Sequence, residues 1–557
     1  MKRIIVIGWD GATWDVLRPL MSKGIMKNLS SLCKEGFASK LESTIPPVTA
    51  AAWTSFMTGK KPSKHGIFDF RGFDSRERKD YLANHSFCKS LTLWEILSKH
   101  KKKSIVLNLP LLYPPPNIDG IITFGFDIPS SACAFAFPET IDSEIKKRWP
   151  NYSPSMRLFD CNFSKVDSWV EKYLDSAIDS VKLRSQIAVS FGKEKDWDLL
   201  LVHFQELDYL QHFIWKRIQR FLNGEVEGLS RQLVGFFKVL DEKLGELIRA
   251  FQDEETTFML ISDHGFGSNP GTIFPNVILK ENNYLFQTGK SAKSFMKKIS
   301  RMKESVKIHF LHTKNPLGTI FKNSIEFLDS IKIRFFPSSL PDLWIDTQNK
   351  ALSLKRLNVD WSRTKAIMAM GDTYGFVYIN PLVVKDDQAY RKIIIDLKSL
   401  FRDKKDPYYF APLFEDILTF KEAYGEEKCD GTCPDLILIP REGCSVFIDA
   451  PTRIYYEHGS TEGYHRKNGI FVLKGHKVKK ISSDFLPKLI DIFPTILALF
   501  NIEIPNDIDG SVLENIFEEK IDFRISNFGS QKEARVKAYS DQESDEISQK
   551  LKSLGYL

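Results

Sequence analysis

The run IIVIGWD, residues 4–10, decides the fold: an apolar stretch of strand length stops on a carboxylate, Asp10, directly before Gly11. Two distant runs repeat the pattern. DLLLVHFQELDYLQH (198–212) leads from an apolar stretch into Asp208 and His212, and TTFMLISDHG (256–265) leads into Asp263 and His264. Short apolar runs bounded by turn signals read as buried strands. In an open α/β sheet, residues just past the carboxyl ends of the strands gather along one edge, where ligands bind. Asp10, Asp208, His212, Asp263 and His264 are therefore expected to converge there, and such donors suit a two-metal site.

The flanking sequence supplies the rest of the fold class. LTLWEILSKH (91–100) reads as an amphipathic helix, SIVLNLP (104–110) and GIITFGF (120–126) as strands, and WTSFMTG (53–59) as part of a short helix stopped at Gly59. This alternation predicts an α/β protein with a large, mostly parallel sheet flanked by helices. Residues 130–195 read as mostly helical, and the strand–helix rhythm resumes from Trp197 to Gly267.

The rhythm breaks at 281–369, the expected inserted cap subdomain. Between Lys290 and Arg334, eleven Lys/Arg face only Glu304, Glu326 and Asp329, a surplus larger than the +7 of the whole chain. Within it, SFMKKISRMKESVKIHFLH (294–312) reads as a basic amphipathic helix: either a solvated cap face or a contact for anionic lipid or a polyanionic substrate. The core is expected to resume near Gly371, through GFVYIN (375–380), PDLILIP (434–440), GIFVLKG (469–475) and DFLPKLIDIFPTILALF (484–500). The expected division is a discontinuous catalytic core of 1–280 with 370–520, the insertion at 281–369, and a tail at 521–557 ending in an amphipathic helix.

At 557 residues, 43% of them hydrophobic and 12% aromatic, the chain can bury a sizeable core. A net charge of +7 is small for that length and does not point to nucleic acid. The apolar stretch after Lys2 and Arg3 is shorter than the ~7–15 residues of an export signal. No run approaches the ~18–20 apolar residues of a membrane helix. Seven scattered cysteines do not form a disulfide framework, and CDGTC (429–433) lacks a second partner pair. Reduced thiols and a cytoplasmic location are the expectation.

In PPVTAAAWTSFMTG (46–59), two prolines hold the chain extended and an alanine run then favours helix, which puts Thr49 at a helix N-terminus. Free backbone N–H groups and the helix dipole attract phosphate-like anions there. A lone threonine in that place is ordinarily a cap, but beside divalent cations a hydroxyl can ionise and act as a nucleophile. Asp208 and His212, four apart, share a helix face and can grip one ion. Asp263 and His264 are adjacent and can reach one ion only if the chain turns, which Gly265 permits. A sixth donor, His465, lies in HGSTEGYHRKNGIFVLKG (458–475), with His458 as a competing assignment.

VIGWDGATWD, PPVTAAAWTSFMTGKKPSKHGIFDF, ELDYLQH, ISDHGFG and GYHRKNGIFVLKG together resemble the alkaline phosphatase superfamily, in particular its type I phosphodiesterase/nucleotide pyrophosphatase branch. The blocks occur in that family's order from Met1 to about Gly510. NLPLLYPPP, NVDWSRTKA, IDIFPTILALFNIEIPNDIDG and LKSLGYL resemble its prokaryotic, cytosolic-type members. The resemblance implies Thr49 as nucleophile, with Asp10, Asp263 and His264 on the cation that activates it. It implies Asp208, His212 and His465 on a second cation, at the leaving oxygen. Three protein ligands with open positions befit catalytic zinc, with manganese or iron as alternatives. The implied reaction is attack of Thr49 on phosphorus, a covalent phosphothreonine-type intermediate, and its hydrolysis by water.

Where eukaryotic-type members carry an Asn three residues after the nucleophile, this chain has Ala52. Substrate contacts are expected instead from the Ala50 backbone N–H or from Asn108. No arginine clamp of the monoesterase kind stands out, which favours diesters. The sulfatase CxPxR signature is missing from the nucleophile block. The expected substrate is a nucleotide, nucleotide-sugar or similar small phosphorylated molecule. Two readings compete: monoesterase, phosphonate hydrolase or phosphoryl transferase chemistry on the same scaffold, and a non-catalytic membrane-surface module.

Overall fold

The computed structural model describes residues 3–129, 134–155, 166–225, 230–288, 357–428, 430–457, 461–534 and 536–553. The basic segment 290–334, its expected helix, and His458 lie outside them.

Arg3–Trp9 is the centre of an eight-stranded sheet. It pairs in parallel with Leu199–Phe204 on one side and with Thr256–Ile261 on the other, Ile5 facing Leu200 and Phe258. Ser104–Leu109 and Gly120–Phe124 extend the parallel array, and Ala136–Phe137 closes that edge antiparallel. The opposite edge is Asn468–Lys474, antiparallel to Thr256–Ile261, followed by Phe37–Glu42. The expected mostly parallel sheet flanked by helices is thus present.

Side-chain alternation along these strands sorts two apolar cores. Ile5, Ile7, Leu200, Val202, Phe258 and Leu260 face one layer, which the helices Trp14–Ser22, Val166–Glu194, Glu206–Leu222 and Ser230–Phe251 cover. Ile4, Val6, Leu199, Leu201, Met259 and Ile261 face the other, covered by Thr49–Thr58, Leu93–Lys99 and Ile492–Leu499. Strands buried on both faces need the near-continuous apolar runs seen in the sequence.

The region after the insertion departs from expectation. GFVYIN and PDLILIP do not rejoin the main sheet. Ala366–Gly371, Gly375–Ile379, Leu436–Pro440 and Phe414–Thr419 form an antiparallel sheet of their own, over a third apolar cluster. The reason is connection length: only three residues separate the first two strands, enough for a hairpin but not for the crossover a parallel neighbour requires. The chain enters and leaves the 289–356 stretch at one place, where Gln287 bridges Val359 and Thr288 N–H donates to the Asn358 carbonyl at 2.7 Å. Among the described residues no helix is long and apolar enough to cross a membrane.

Candidate metal centre

Each expected donor comes from a structural transition at the carboxyl edge of the sheet. Asp10 follows the central strand, its N–H donating to the Phe204 carbonyl at 2.9 Å. Gly11 then turns the chain with φ +65°, a region that favours glycine. Asp208 lies in the first turn of the Glu206–Leu222 helix, and His212 follows one turn later on the same buried face. Asp263 and His264 occupy the bend between Thr256–Ile261 and the short strand Gly265–Ser268. Gly265 does not turn the chain as expected: it is glycine because a Cβ there would collide with the Asn468 carbonyl. His465 arrives on Gly463–Arg466, which pairs antiparallel with Gly265–Ser268 and sets His465 opposite Phe266.

Thr49 opens the Thr49–Thr58 helix as its first residue; Val48 is the cap, without a side-chain bond. The first intrahelical bond is Ala52 N–H to the Val48 carbonyl, 2.9 Å. The N–H groups of Thr49, Ala50 and Ala51 precede it and have no partner within the helix. Thr49 Oγ1 lies 3.2 Å from His264 Nε2 and 3.4 Å from Asp10 Oδ1.

The six expected donors and Thr49 thus meet in one buried cluster. His465 Nε2 is 3.3 Å from Asp208 Oδ1 and 3.0 Å from His212 Nε2, and His212 Nε2 is 3.5 Å from Asp208 Oδ2. His264 Nε2 is 3.4 Å from Asp263 Oδ2 and 3.6 Å from Asp10 Oδ1, and its ring stacks on His465 at 3.8 Å. Asp10, Asp263 and His264 form one triad with close ligand atoms; Asp208, His264 and His465 form another.

The donor set fits divalent cations on its own chemistry. All three imidazoles turn Nδ1 toward oxygen: the Gly463 carbonyl for His212, the Gly265 carbonyl for His264, and Thr373 Oγ1 for His465, at 3.2, 3.2 and 3.3 Å. With Nδ1 carrying the proton, the three Nε2 lone pairs face the cluster, the tautomer a metal ligand needs. Burial pushes His212, His264 and His465 each down to about 4, so they are neutral at pH 7. Burial, with the charges of Asp10 and Asp208, pushes Asp263 well above the carboxylate range. Among the described residues its buried Oδ2 has no hydrogen-bond partner. A buried carboxylate crowded by two others calls for a cation.

Several supporting residues carry no signal in the sequence read alone. Trp53 Nε1 donates to Asp10 Oδ2 at 3.0 Å, and His203 Nε2 lies 2.9 Å from the same oxygen; a carboxylate oxygen can only accept, so Nε2 carries the hydrogen of that bond. Burial opposes the Asp10 charge, but the His203 bond and charge outweigh it and hold Asp10 below the usual range. Gln211 donates to the Gly11 carbonyl at 2.8 Å. Each is an ordinary strand or helix residue until the fold brings it to Asp10 or Gly11. Asn108, expected at the substrate, is turned away: its amide donates to Tyr152 Oη at 2.7 Å, and its carbonyl lies 3.1 Å from His203 Nδ1. It braces the layer behind the ligands.

The family profile described as type I phosphodiesterase / nucleotide pyrophosphatase matches residues 4–465, a span that begins in the central strand and ends on His465. The chain belongs to this family. It is a hydrolytic enzyme of the phosphodiesterase/nucleotide pyrophosphatase type. Among solved structures, human ectonucleotide pyrophosphatase / phosphodiesterase 5 is similar over 93% of this chain and 100% of that one, at 12% identity and TM-score 0.50. Phosphonoacetate hydrolase from Sinorhizobium meliloti 1021, in complex with phosphonoacetate, is similar over 88% and 94%, at 12% identity and TM-score 0.51. At that identity the likeness is one of fold. No curated protein matches the chain.

Proposed function

We propose that this family member hydrolyses a phosphate diester or pyrophosphate bond in a nucleotide, nucleotide-sugar or similar small substrate, through a covalent intermediate on Thr49. The observation that carries the reading is the set of three Nε2 lone pairs and three carboxylates closing on the Thr49 hydroxyl. Asp10, Asp263 and His264 would hold one divalent cation, and Asp208, His212 and His465 a second, with zinc favoured by the mixed Asp/His set. When bound, the two cations lower the pKa of the Thr49 hydroxyl and neutralise charge at the leaving oxygen.

The chain's own residues do the rest. Thr49 Oγ1 forms the new bond to phosphorus while the bond to the leaving oxygen breaks. Water then attacks the same phosphorus and returns Thr49. Ala50 N–H, with its first-turn neighbours, points out of the helix end to receive a phosphoryl oxygen. Arg466, the arginine adjoining the ligands, is spent on the Ser268, Tyr464 and His465 carbonyls. A dianionic monoester would lack that positive charge, which favours diesters over monoesters.

We also place the protein in the cytoplasm, in keeping with the free thiols of Cys33, Cys88 and Cys444 among the described residues. We take 1–280 with 370–520 as its catalytic unit. The test is turnover of bis-p-nitrophenyl phosphate against p-nitrophenyl phosphate, phosphonoacetate and a nucleotide-sugar panel. Preferential turnover of the diester or the nucleotide-sugars is expected. Preference for the monoester or phosphonoacetate would overturn the diester assignment in favour of the competing chemistry.

A further inference from the structure

We infer that His203 and Trp53 are positioning residues: together they lock Asp10 in one orientation and reserve its Oδ1 for the cation beside Thr49. The inference rests on the two-cation reading above, but its argument is separate. Asp10 divides its two oxygens by partner. Oδ2 receives both strong donors, Trp53 Nε1 at 3.0 Å and His203 Nε2 at 2.9 Å. Among the described residues Oδ1 faces Thr49 Oγ1 at 3.4 Å and His264 Nε2 at 3.6 Å. An oxygen with two short donors has little lone-pair capacity left for a cation, so Asp10 is built to ligate through one oxygen.

The two donors are themselves fixed. His203 Nδ1 sits 3.1 Å from the Asn108 carbonyl. Asn108 holds a left-handed backbone, φ +64°, unusual for a non-glycine and braced by its bonds to Thr123 Oγ1 and Tyr152 Oη at 2.9 and 2.7 Å. Trp53 meets the His203 ring edge-on, centroids 5.0 Å apart. Trp53, His203 and Asp10 are all fully buried. Trp53 also lies one helical turn after Thr49, so the nucleophile and one clamp on Asp10 ride on the same rigid element. A helix that only needed to fill space would require the indole ring but not its N–H.

The variants Trp53→Phe and His203→Leu separate the donor from the ring. Chelator competition, with bound metal counted by elemental analysis, reads each cation's affinity, and thermal melting of the metal-free protein reads packing. Wild type is expected to hold two ions. In Trp53→Phe one ion should leave at ~10–100-fold weaker chelation, the usual effect of losing a ligand's outer partner, while the other ion and the metal-free melting point stay put. His203→Leu should weaken the same ion. The inference is overturned if Trp53→Phe keeps both ions at wild-type affinity, or if both ions weaken alike together with a fall in metal-free melting. Should His203→Leu fail to fold, Trp53→Phe decides alone. A wild-type protein that does not bind two ions would instead sink the two-cation reading, and the inference with it.

Discussion

Thr49 Oγ1 lies 3.4 Å from Asp10 Oδ1 and 3.2 Å from His264 Nε2, on the Nε2 side of the ligand histidines, whereas the Thr373 hydroxyl meets His465 from its Nδ1 side. Thr49→Ala is expected to cut turnover by on the order of a thousandfold or more, as loss of a nucleophile does. Metal content should stay at two ions per chain. Full activity in that variant would remove Thr49 from the chemistry. His465→Ala should lower the metal content, read by elemental analysis; if it keeps both ions and His458→Ala does not, the sixth ligand is His458.

The ligand residues also set a pH dependence for the metal-free protein. His212, His264 and His465 have folded values near 4, below the 6.5 of an unfolded histidine, so the unfolded chain binds more protons between those limits and stability rises with pH there. Burial raises Asp263 and Asp372 well above 3.8, and Asp69 to about 7, so the folded state holds the extra proton and stability falls as pH rises toward their folded values. An unfolded histidine is still half-protonated at pH 6.5, so the histidine contribution is spent only above about pH 7.5, where the raised carboxyls decide the slope. Metal-free melting is therefore expected to decline from about pH 7.5 to about pH 8.5, and saturating zinc should flatten the decline because the ligand Asp263 is then paired. A metal-free protein that melts higher at about pH 8.5 than at about pH 7.5 would contradict these assignments.

At the level of elements, Arg3–Trp9, Ser104–Leu109, Gly120–Phe124 and Leu93–Lys99 were legible because each is a continuous apolar run or an apolar stripe, whereas Phe37–Glu42, with Ser39 and Lys40 interrupting it, was not. The ligand-bearing ends were legible for the same reason: Asp10, Asp208 and Asp263 break apolar runs, and a break is visible in sequence. His203 and Trp53 were not, because each sits inside its element and acquires a polar partner only through tertiary contact. The role of Gly11 is testable on its element. A Cβ there would lie 2.9 Å from Asp208 Oδ1 and 3.1 Å from Asp208 Cα, on a residue already at φ +65°. Gly11→Ala should cost about 1–2 kcal/mol from the backbone alone, measured by denaturant unfolding. It should also weaken the Asp208 cation, because backbone, not a flexible tip, must move. Wild-type stability and metal affinity would refute the close approach.

Across the whole molecule, the sheet order was only partly legible. Nothing in PDLILIP or GFVYIN distinguishes a strand of the main sheet from one of a separate antiparallel sheet; the three-residue connection between Gly371 and Gly375 decides that, and it shows only once the strand before it is known. Yet that second sheet reaches the centre, because Thr373, in its first hairpin, holds His465 Nδ1. The cluster therefore ties together the central strand, the Thr49–Thr58 and Glu206–Leu222 helices and the downstream sheet. Stripping the metals should lower the melting temperature of the whole chain cooperatively, by several degrees if both ions are tightly held. The central claim, that six distant side chains hold two cations beside one hydroxyl, is tested most directly by anomalous diffraction from zinc-loaded crystals. Two anomalous peaks are expected, one among Asp10, Asp263, His264 and Thr49, the other among Asp208, His212 and His465. A single peak elsewhere, or none within this cluster, would contradict it.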